Sequence, residues 1–212
     1  MCPFPPALVP QVAPGLDAEL ADVRAAATDA VAVLLAAAPD RVVVLGSGDL
    51  HGDVDESAGG TLAGYGVDVR AGGSSTVLPL SLTIGAWLLD RAGWTGPRTY
   101  TTQRPEPVGR VALLVMADLS TRRTPKAPGA LDERAEPFDA SVAAALAAGD
   151  AEALAAIDAD LAEELGAAGV PALRLLAETS KGADVIPTLR YDAAPFGVGY
   201  VVADWVVREA QA

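Results

Sequence analysis

The chain has 212 residues, of which 51% are hydrophobic and 20% charged, enough apolar material to fill a core and too much for a disordered chain. Lys and Arg number 15 against 28 Asp and Glu, a net charge of -13; such a surface repels phosphate backbones and anionic lipid, so neither nucleic acid nor a membrane surface is an expected partner. One Cys and one His exclude a disulfide framework, a Cys/His zinc site and a two-histidine metal site within one chain.

Pro3, Pro5, Pro6, Pro10 and Pro14 predict an extended opening rather than a helix. Asp17 to Ala38 then reads as a helix, with Leu20, Val23, Ala27, Val31 and Leu34 at three- and four-residue steps and Pro39 as its stop. Arg41–Leu45 is a short apolar run, the pattern of a strand buried on both faces. A polar, Gly-rich stretch follows to Ser75, with short strands expected near Thr61-Leu62 and Val67–Val69. Pro79 to Ala92 reads as a second helix stopped by Gly93.

Thr99–Thr102 reads as a strand, and Arg110–Met116 as a second strand buried on both faces. Thr124–Gly129 is a loop. Ala135–Ala148 and Ala151–Gly166 read as helices, the latter capped by Asp150 with Glu152 in its first turn. Pro171 suits the first turn of a helix that runs through Ala177. Thr188–Tyr191 and Gly199–Val202 close the chain as an antiparallel pair. Helix and strand alternate with no linker or repeat, so residues 1–212 are expected to form one α/β domain. Its central sheet should be mostly parallel or mixed, with helices on both faces.

Ligands in such sheets bind beyond the carboxyl ends of the strands. The loops Gly46–Asp53 and Ala117–Arg123 meet that condition. Gly46-x-Gly48-x-x-x-Gly52 is not a dinucleotide loop, since acidic Gly-rich sequence rather than a helix follows it. No Gly-Lys-Ser/Thr of a P-loop and no Gly-x-Ser-x-Gly of a serine hydrolase occurs. His51 reads first as an exposed loop residue, and Ser47, Asp49 and His51 sit too close in one loop to form a triad. Arg122-Arg123 could hold an anion or bridge to nearby acids.

Four motifs stand in order along nearly the whole chain: Cys2-Pro-Phe-Pro-Pro-Ala-Leu-Val-Pro10, Ala117-Asp-Leu-Ser-Thr121, Thr124-Pro-Lys-Ala-Pro-Gly129 with Phe138-Asp139, and Tyr191-Asp-Ala-Ala-Pro-Phe-Gly-Val-Gly-Tyr200. In these the chain resembles the B-subunit-like family of class III extradiol ring-cleavage dioxygenases. Leu78–Leu82 and Gly85–Leu89 resemble an alanine-rich actinobacterial branch of it. The resemblance implies the fold just described. It also implies Fe(II) held by two His and one carboxylate, with a further His as acid/base, open metal positions coupling catechol to O₂. The first ligand position is Phe4 here, which has no lone pair, and the acid/base position is Thr121. His51 lies nearest the second ligand position and Asp192 nearest the carboxylate.

The expectation is therefore a cytoplasmic, metal-free pseudoenzyme with no cofactor, binding a small molecule or partner in a cleft lined by Phe4, Asp49, His51, Asp118, Ser120, Thr121, Arg122 and Phe196. One alternative is a metal-dependent oxidoreductase or hydrolase acting on a small aromatic compound, with His51, Asp118 and Thr121 as catalytic candidates and His51 with Asp49, Asp118 or Asp192 as metal ligands. Another is a structural subunit of a homodimer or hetero-oligomer, with Trp87, Trp94 and Trp205 as the large apolar candidates and Trp87 and Trp205 read as core.

Overall fold

The computed structural model describes residues 1–106 and 108–208. The proline-rich opening is not extended throughout. Pro6–Leu8 closes one 3-10 turn, in which the Leu8 and Val9 N–H groups donate to the Pro5 and Pro6 carbonyls, each at 3.0 Å. Helix α1 (Asp17–Ala36) follows, with Asp17 and Glu19 in its first turn, where the helix dipole favours them. It buries Leu20, Val23, Ala27 and Val31 as their spacing predicts.

Strand β1 (Arg41–Leu45) is buried from Val42 onward. The Gly-rich stretch then forms four short strands: β2 (Val54–Asp55), β3 (Ala58–Thr61), β4 (Arg70–Gly72) and β5 (Ser75–Thr76). Helix α2 (Leu80–Arg91) ends at Ala92, and Gly93 takes the left-handed conformation at φ +71. Strands β6 (Arg98–Thr101) and β7 (Val111–Val115) complete the main sheet, whose order is β2-β6-β1-β7. β1 pairs in parallel with both β6 and β7, and β2 adds an antiparallel edge. This is a mixed sheet in an α/β protein.

Alternate residues enter opposite layers. Val42, Val44, Leu114 and Met116 face a core shared with α1 and α2. Leu45, Val115 and Ala117 face a second core built by the later helices. That two-sided burial is why β1 is a run of apolar residues rather than an alternating pattern. β7 departs from the expectation of full burial: Val111, Ala112 and Leu113 are only half-buried, because no strand covers their outer edge.

The second layer consists of α3 (Ala135–Ala148), α4 (Ala151–Ala155), α5 (Ala159–Glu164) and α6 (Val170–Thr179). Asp150 caps α4, its Oδ1 accepting from the Ala153 N–H at 2.9 Å. The single helix expected over Ala151–Gly166 is broken. Asp158 Oδ1 accepts from the Asp160 and Leu161 N–H groups, each at 3.0 Å, and so starts a new helix. A side chain that takes backbone donors competes with helix continuation, and an alanine-rich sequence gives no Gly or Pro warning of it. Among the described residues, no helix is long and apolar enough to cross a membrane.

The chain ends in the antiparallel hairpin β8 (Val185–Ala193) and β9 (Tyr200–Val207), with a register shift between Leu189 and Tyr191. Two residues join this hairpin to the main sheet. The Cys2 N–H donates to the Val115 carbonyl at 2.8 Å, and the Cys2 carbonyl accepts from the Ala117 N–H at 2.9 Å. On the other side, Met1 exchanges two hydrogen bonds with Ala203, at 2.7 and 3.2 Å. The hairpin therefore continues the sheet, with Met1-Cys2 as a very short strand between β7 and β9.

β3, β4 and β5 form a separate small sheet against α2, rooted by Asp90. Asp90 Oδ2 accepts from the Gly72 N–H at 2.8 Å, and its Oδ1 pairs with Arg98 Nη1 at 2.6 Å. Trp87 and Trp205 are half-buried against the two cores, and the Trp205 indole donates to the Leu146 carbonyl at 2.7 Å.

Gly85 lies mid-helix where α2 meets the sheet. A Cβ there would stand 2.5 Å from Val44 Cγ1 and 3.1 Å from Met116 Cγ. Glycine to alanine in a helix interior normally stabilises by about 1 kcal/mol. Val44 is β-branched and fully buried, so it cannot yield. Gly85→Ala is expected to destabilise by about 1–3 kcal/mol in urea unfolding, and Val44→Ala in the same chain should recover part of the loss.

Candidate functional site

β1 and β7 run in parallel as neighbours, Leu45 opposite Val115, so the loops that follow them leave the sheet at the same end. They behave differently. Gly46 still donates to the Thr101 carbonyl at 3.1 Å, and Ser47 is held by a reciprocal pair with the Ser81 hydroxyl. Beyond it the loop turns outward. The side chains of Asp49 and His51 are 92% and 100% exposed, with 3.7 Å between His51 Nε2 and Asp49 Oδ1. Neither faces the enclosed part of the strand-end region.

The loop after β7 is drawn inward. The Leu119 N–H donates to the Gly199 carbonyl at 2.9 Å, Gly199 returns a bond to the Ser120 carbonyl at 2.8 Å, and Arg123 donates to Gly197 at 2.9 Å. The segment thus pairs with the turn that joins β8 to β9. Behind it lies a buried polar network. Asp139 on α3 accepts from the Ser120 N–H at 2.9 Å and the Ser120 hydroxyl at 2.7 Å, and pairs with Arg123 Nη1 at 3.2 Å. Burial pushes the Asp139 carboxyl above its ordinary value, against the opposing pull of Ser120 and Arg123.

Asp118 is the central group. The Phe4 N–H donates to its Oδ1 at 2.8 Å. Burial pushes its pKa up to about 7, and the Phe4 hydrogen bond offsets only part of that. Among the described residues, its second oxygen has no hydrogen-bond partner, and the residue is half-buried. Tyr200 lies close enough that the Asp118 charge, added to burial, raises its phenol above the ordinary value. Phe4, Tyr200, Tyr191 and Phe196 all pack into the same apolar cluster. The result is a buried carboxyl poised to gain or lose a proton near neutrality, held by Phe4 and near Tyr200.

Several expected cleft residues take other roles. Ser120 is fully buried, and its hydroxyl is committed to Asp139. It is a supporting residue, not a lining one. The Thr121 hydroxyl lies 3.4 Å from the Leu165 carbonyl, and Arg122 Nη1 donates to the Gly129 carbonyl at 2.6 Å. Arg123 takes the bridging alternative, reaching Glu136 at 3.6 Å as well as Asp139. Asp192 is exposed on β8. The described residues contain no group of three His, Cys, Asp or Glu side chains able to hold a metal ion; of the expected ligands, Asp49 stands 3.7 Å from His51. Two cavities lie elsewhere: about 490 Å³ between α3, α4 and α5, and about 560 Å³ beside β7 and β9.

Tyr200 and Asp139 were not singled out by the sequence as site residues. Asp139 meets Ser120 across 19 positions, a pairing no local pattern signals. Comparison of the chain with known protein families and with curated proteins finds no match.

Two outcomes follow from this geometry. Unfolded Asp titrates near about 3.9, and folded Asp118 at about 7. Between these values the folded state holds a proton that the unfolded state has lost, so stability falls as pH rises and levels off above about 7. Asp118→Asn keeps an acceptor for the Phe4 N–H and removes that slope. In urea unfolding near about pH 8 it should exceed the wild type by up to about 4 kcal/mol; equal pH profiles for the two proteins would refute the assignment. Asp139→Ala strands Arg123 and both Ser120 donors, and is expected to cost about 3–5 kcal/mol by the same measurement.

Proposed function

We propose that this chain is a divergent extradiol-dioxygenase-like protein that no longer cleaves rings and instead binds a small hydroxylated aromatic ligand at Asp118. The observation that carries the reading is the coupling of Phe4 to Asp118. A phenyl ring stands where the resemblance places an imidazole, and the backbone N–H of the same residue fixes the carboxyl. Asp118 presents its free oxygen to a ligand hydroxyl, accepting its hydrogen bond when ionised and donating one when protonated. The half-buried Phe196 and Tyr191 would offer apolar surface to a ring, whereas Phe4 is itself buried. The net charge of -13 disfavours anionic ligands.

The residues present do not fit the iron of the family it resembles. That iron takes two imidazoles and a carboxylate, whereas the one His is fully exposed and Phe4 and Thr121 stand at histidine positions. A second reading, self-association, is favoured by the hairpin. Its cross-strand partners Ile186 and Val206 are 46% and 44% exposed, an apolar pair on the outside of the sheet.

Catechol titrated into the purified protein tests the proposal, with binding followed by calorimetry and oxygen uptake followed after anaerobic loading with Fe(II). Saturable binding that weakens at least about tenfold in Asp118→Asn, a loss of about 1.4 kcal/mol, without oxygen uptake, is the expected result. One tightly held iron per chain with catechol-dependent oxygen uptake would overturn it, as would a wild-type protein that does not bind catechol.

A further inference from the structure

The cavity of about 560 Å³ beside β7 has walls that form a strand-shaped slot. One long side is the outer edge of β7, and the other is the edge of β9 that faces away from β8. Met1-Cys2 closes one end. Cys2 pairs in parallel with Met116, through the Val115 carbonyl and the Ala117 N–H. Alternate residues of a strand direct their backbone groups to opposite edges. The Val115 N–H and both backbone groups of Leu113 and Val111 therefore face the slot. On β9, Ala203 bonds to Met1, so Trp205 and Val207 present theirs to the slot as well. Among the described residues, none of these groups has a hydrogen-bond partner. Unpaired backbone groups along two facing strands, about 10 Å or two strand spacings apart, are a gap in a sheet.

The two edges agree on the size of the gap. Backward from Cys2 opposite Met116, β7 continues for four residues past the position of Met1, from Leu114 to Val111. From Ala203 opposite Met1, β9 also continues for four, from Asp204 to Val207. The floor and roof are mostly apolar: Ala30, Val33 and Leu34 of α1 with Ala37 just past its end on one face, Leu146 and Leu176 on the other, with Thr179 and Ser180 also in the lining. Val33, Leu34 and Leu176 remain only half-buried there.

We infer that this slot is the seat of one further β-strand: an apolar segment of four or more residues, joined directly to Met1 in a longer form of this chain, parallel to β7 and antiparallel to β9. The slot itself carries the inference. Direction and register are already set by Met1-Cys2, whose backbone lies in line with the gap and whose nitrogen forms its end wall. Both faces of the strand meet mostly apolar helix surface, so its side chains are predominantly apolar. A strand there completes a seven-stranded sheet from β2 to β8. A peptide supplied by another molecule would have to end against the Met1 nitrogen, and a second copy of the chain would have to pass between two helical layers.

Hydrogen exchange tests it. Three proteins are compared: the chain as it stands, the chain with Val-Ala-Val-Ala joined ahead of Met1, and the chain with Gly-Ser-Gly-Ser at the same place. The apolar extension is expected to slow exchange at the Val111, Leu113, Val115, Trp205 and Val207 amides by about tenfold or more and to raise the thermal midpoint. The Gly/Ser extension should do much less. Unchanged exchange with the apolar extension would overturn the inference, and so would full protection of these amides in the unextended chain. Equal protection by the same four residues added as a free peptide, or protection that grows with protein concentration, would assign the slot to an occupant from another molecule.

Discussion

The fold depends on a strand only two residues long. Met1-Cys2 has β7 on one side and β9 on the other, and its four backbone hydrogen bonds are what make the closing hairpin part of the sheet. Each such bond contributes about 1 kcal/mol net, yet a buried group left without one costs about 1–3 kcal/mol. The junction therefore matters less for what it adds than for what its loss would leave exposed. It also fixes the site. Two residues further on, the Phe4 N–H reaches Asp118, and the turn before β9 returns to pair with the segment that carries Asp118. The position of that carboxyl follows from threading the opening segment between two strands that are far apart in sequence.

Much of the architecture was legible in the sequence where one local force dominates. β1 was legible because burial on both faces leaves no room for a polar residue from Val42 to Leu45. α2 was bounded by Pro79 and Gly93, which set backbone angles regardless of tertiary context. Legibility failed where a side chain overrode composition. Ala151–Gly166 has the content of one helix, but Asp158 draws two N–H groups to itself and starts another. It failed again in the Gly-rich stretch, where β2 to β5 are too short for a hydrophobic period and exist only through their partners. β7 reads as fully buried because its residues are those of a central strand, and that is the place its geometry assigns it. Its half-open edge belongs to the gap beside it.

The site was legible in part, and unevenly. Asp118, Phe4 and Phe196 could be named from motifs, and the structure joins the first two by one hydrogen bond. Asp49 and His51 were named from position alone, as residues past a strand end. A strand end fixes where a loop begins, and the reciprocal Ser47–Ser81 pair marks the last point at which this loop is held. Ser120 shows the opposite error. Two positions beyond Asp118, it is fully buried, with its hydroxyl turned to Asp139. Its partner Asp139 lies on a helix the segment meets only after folding.

The small sheet carried by α2 has a fixed root and a free tip. At the root, the Asp90 carboxylate serves Gly72 with one oxygen and Arg98 with the other, and Arg98 sits in β6, next to β1. At the tip, Ala63 to Gly66 are open to solvent. Changes of length or sequence can be absorbed at the tip without reaching the parallel strands. A change at Gly72 is transmitted through one carboxylate to a guanidinium whose side chain is only 9% exposed. An epitope or reporter grafted into this protein thus has a natural landing place, and one shared counter-ion separates it from the framework.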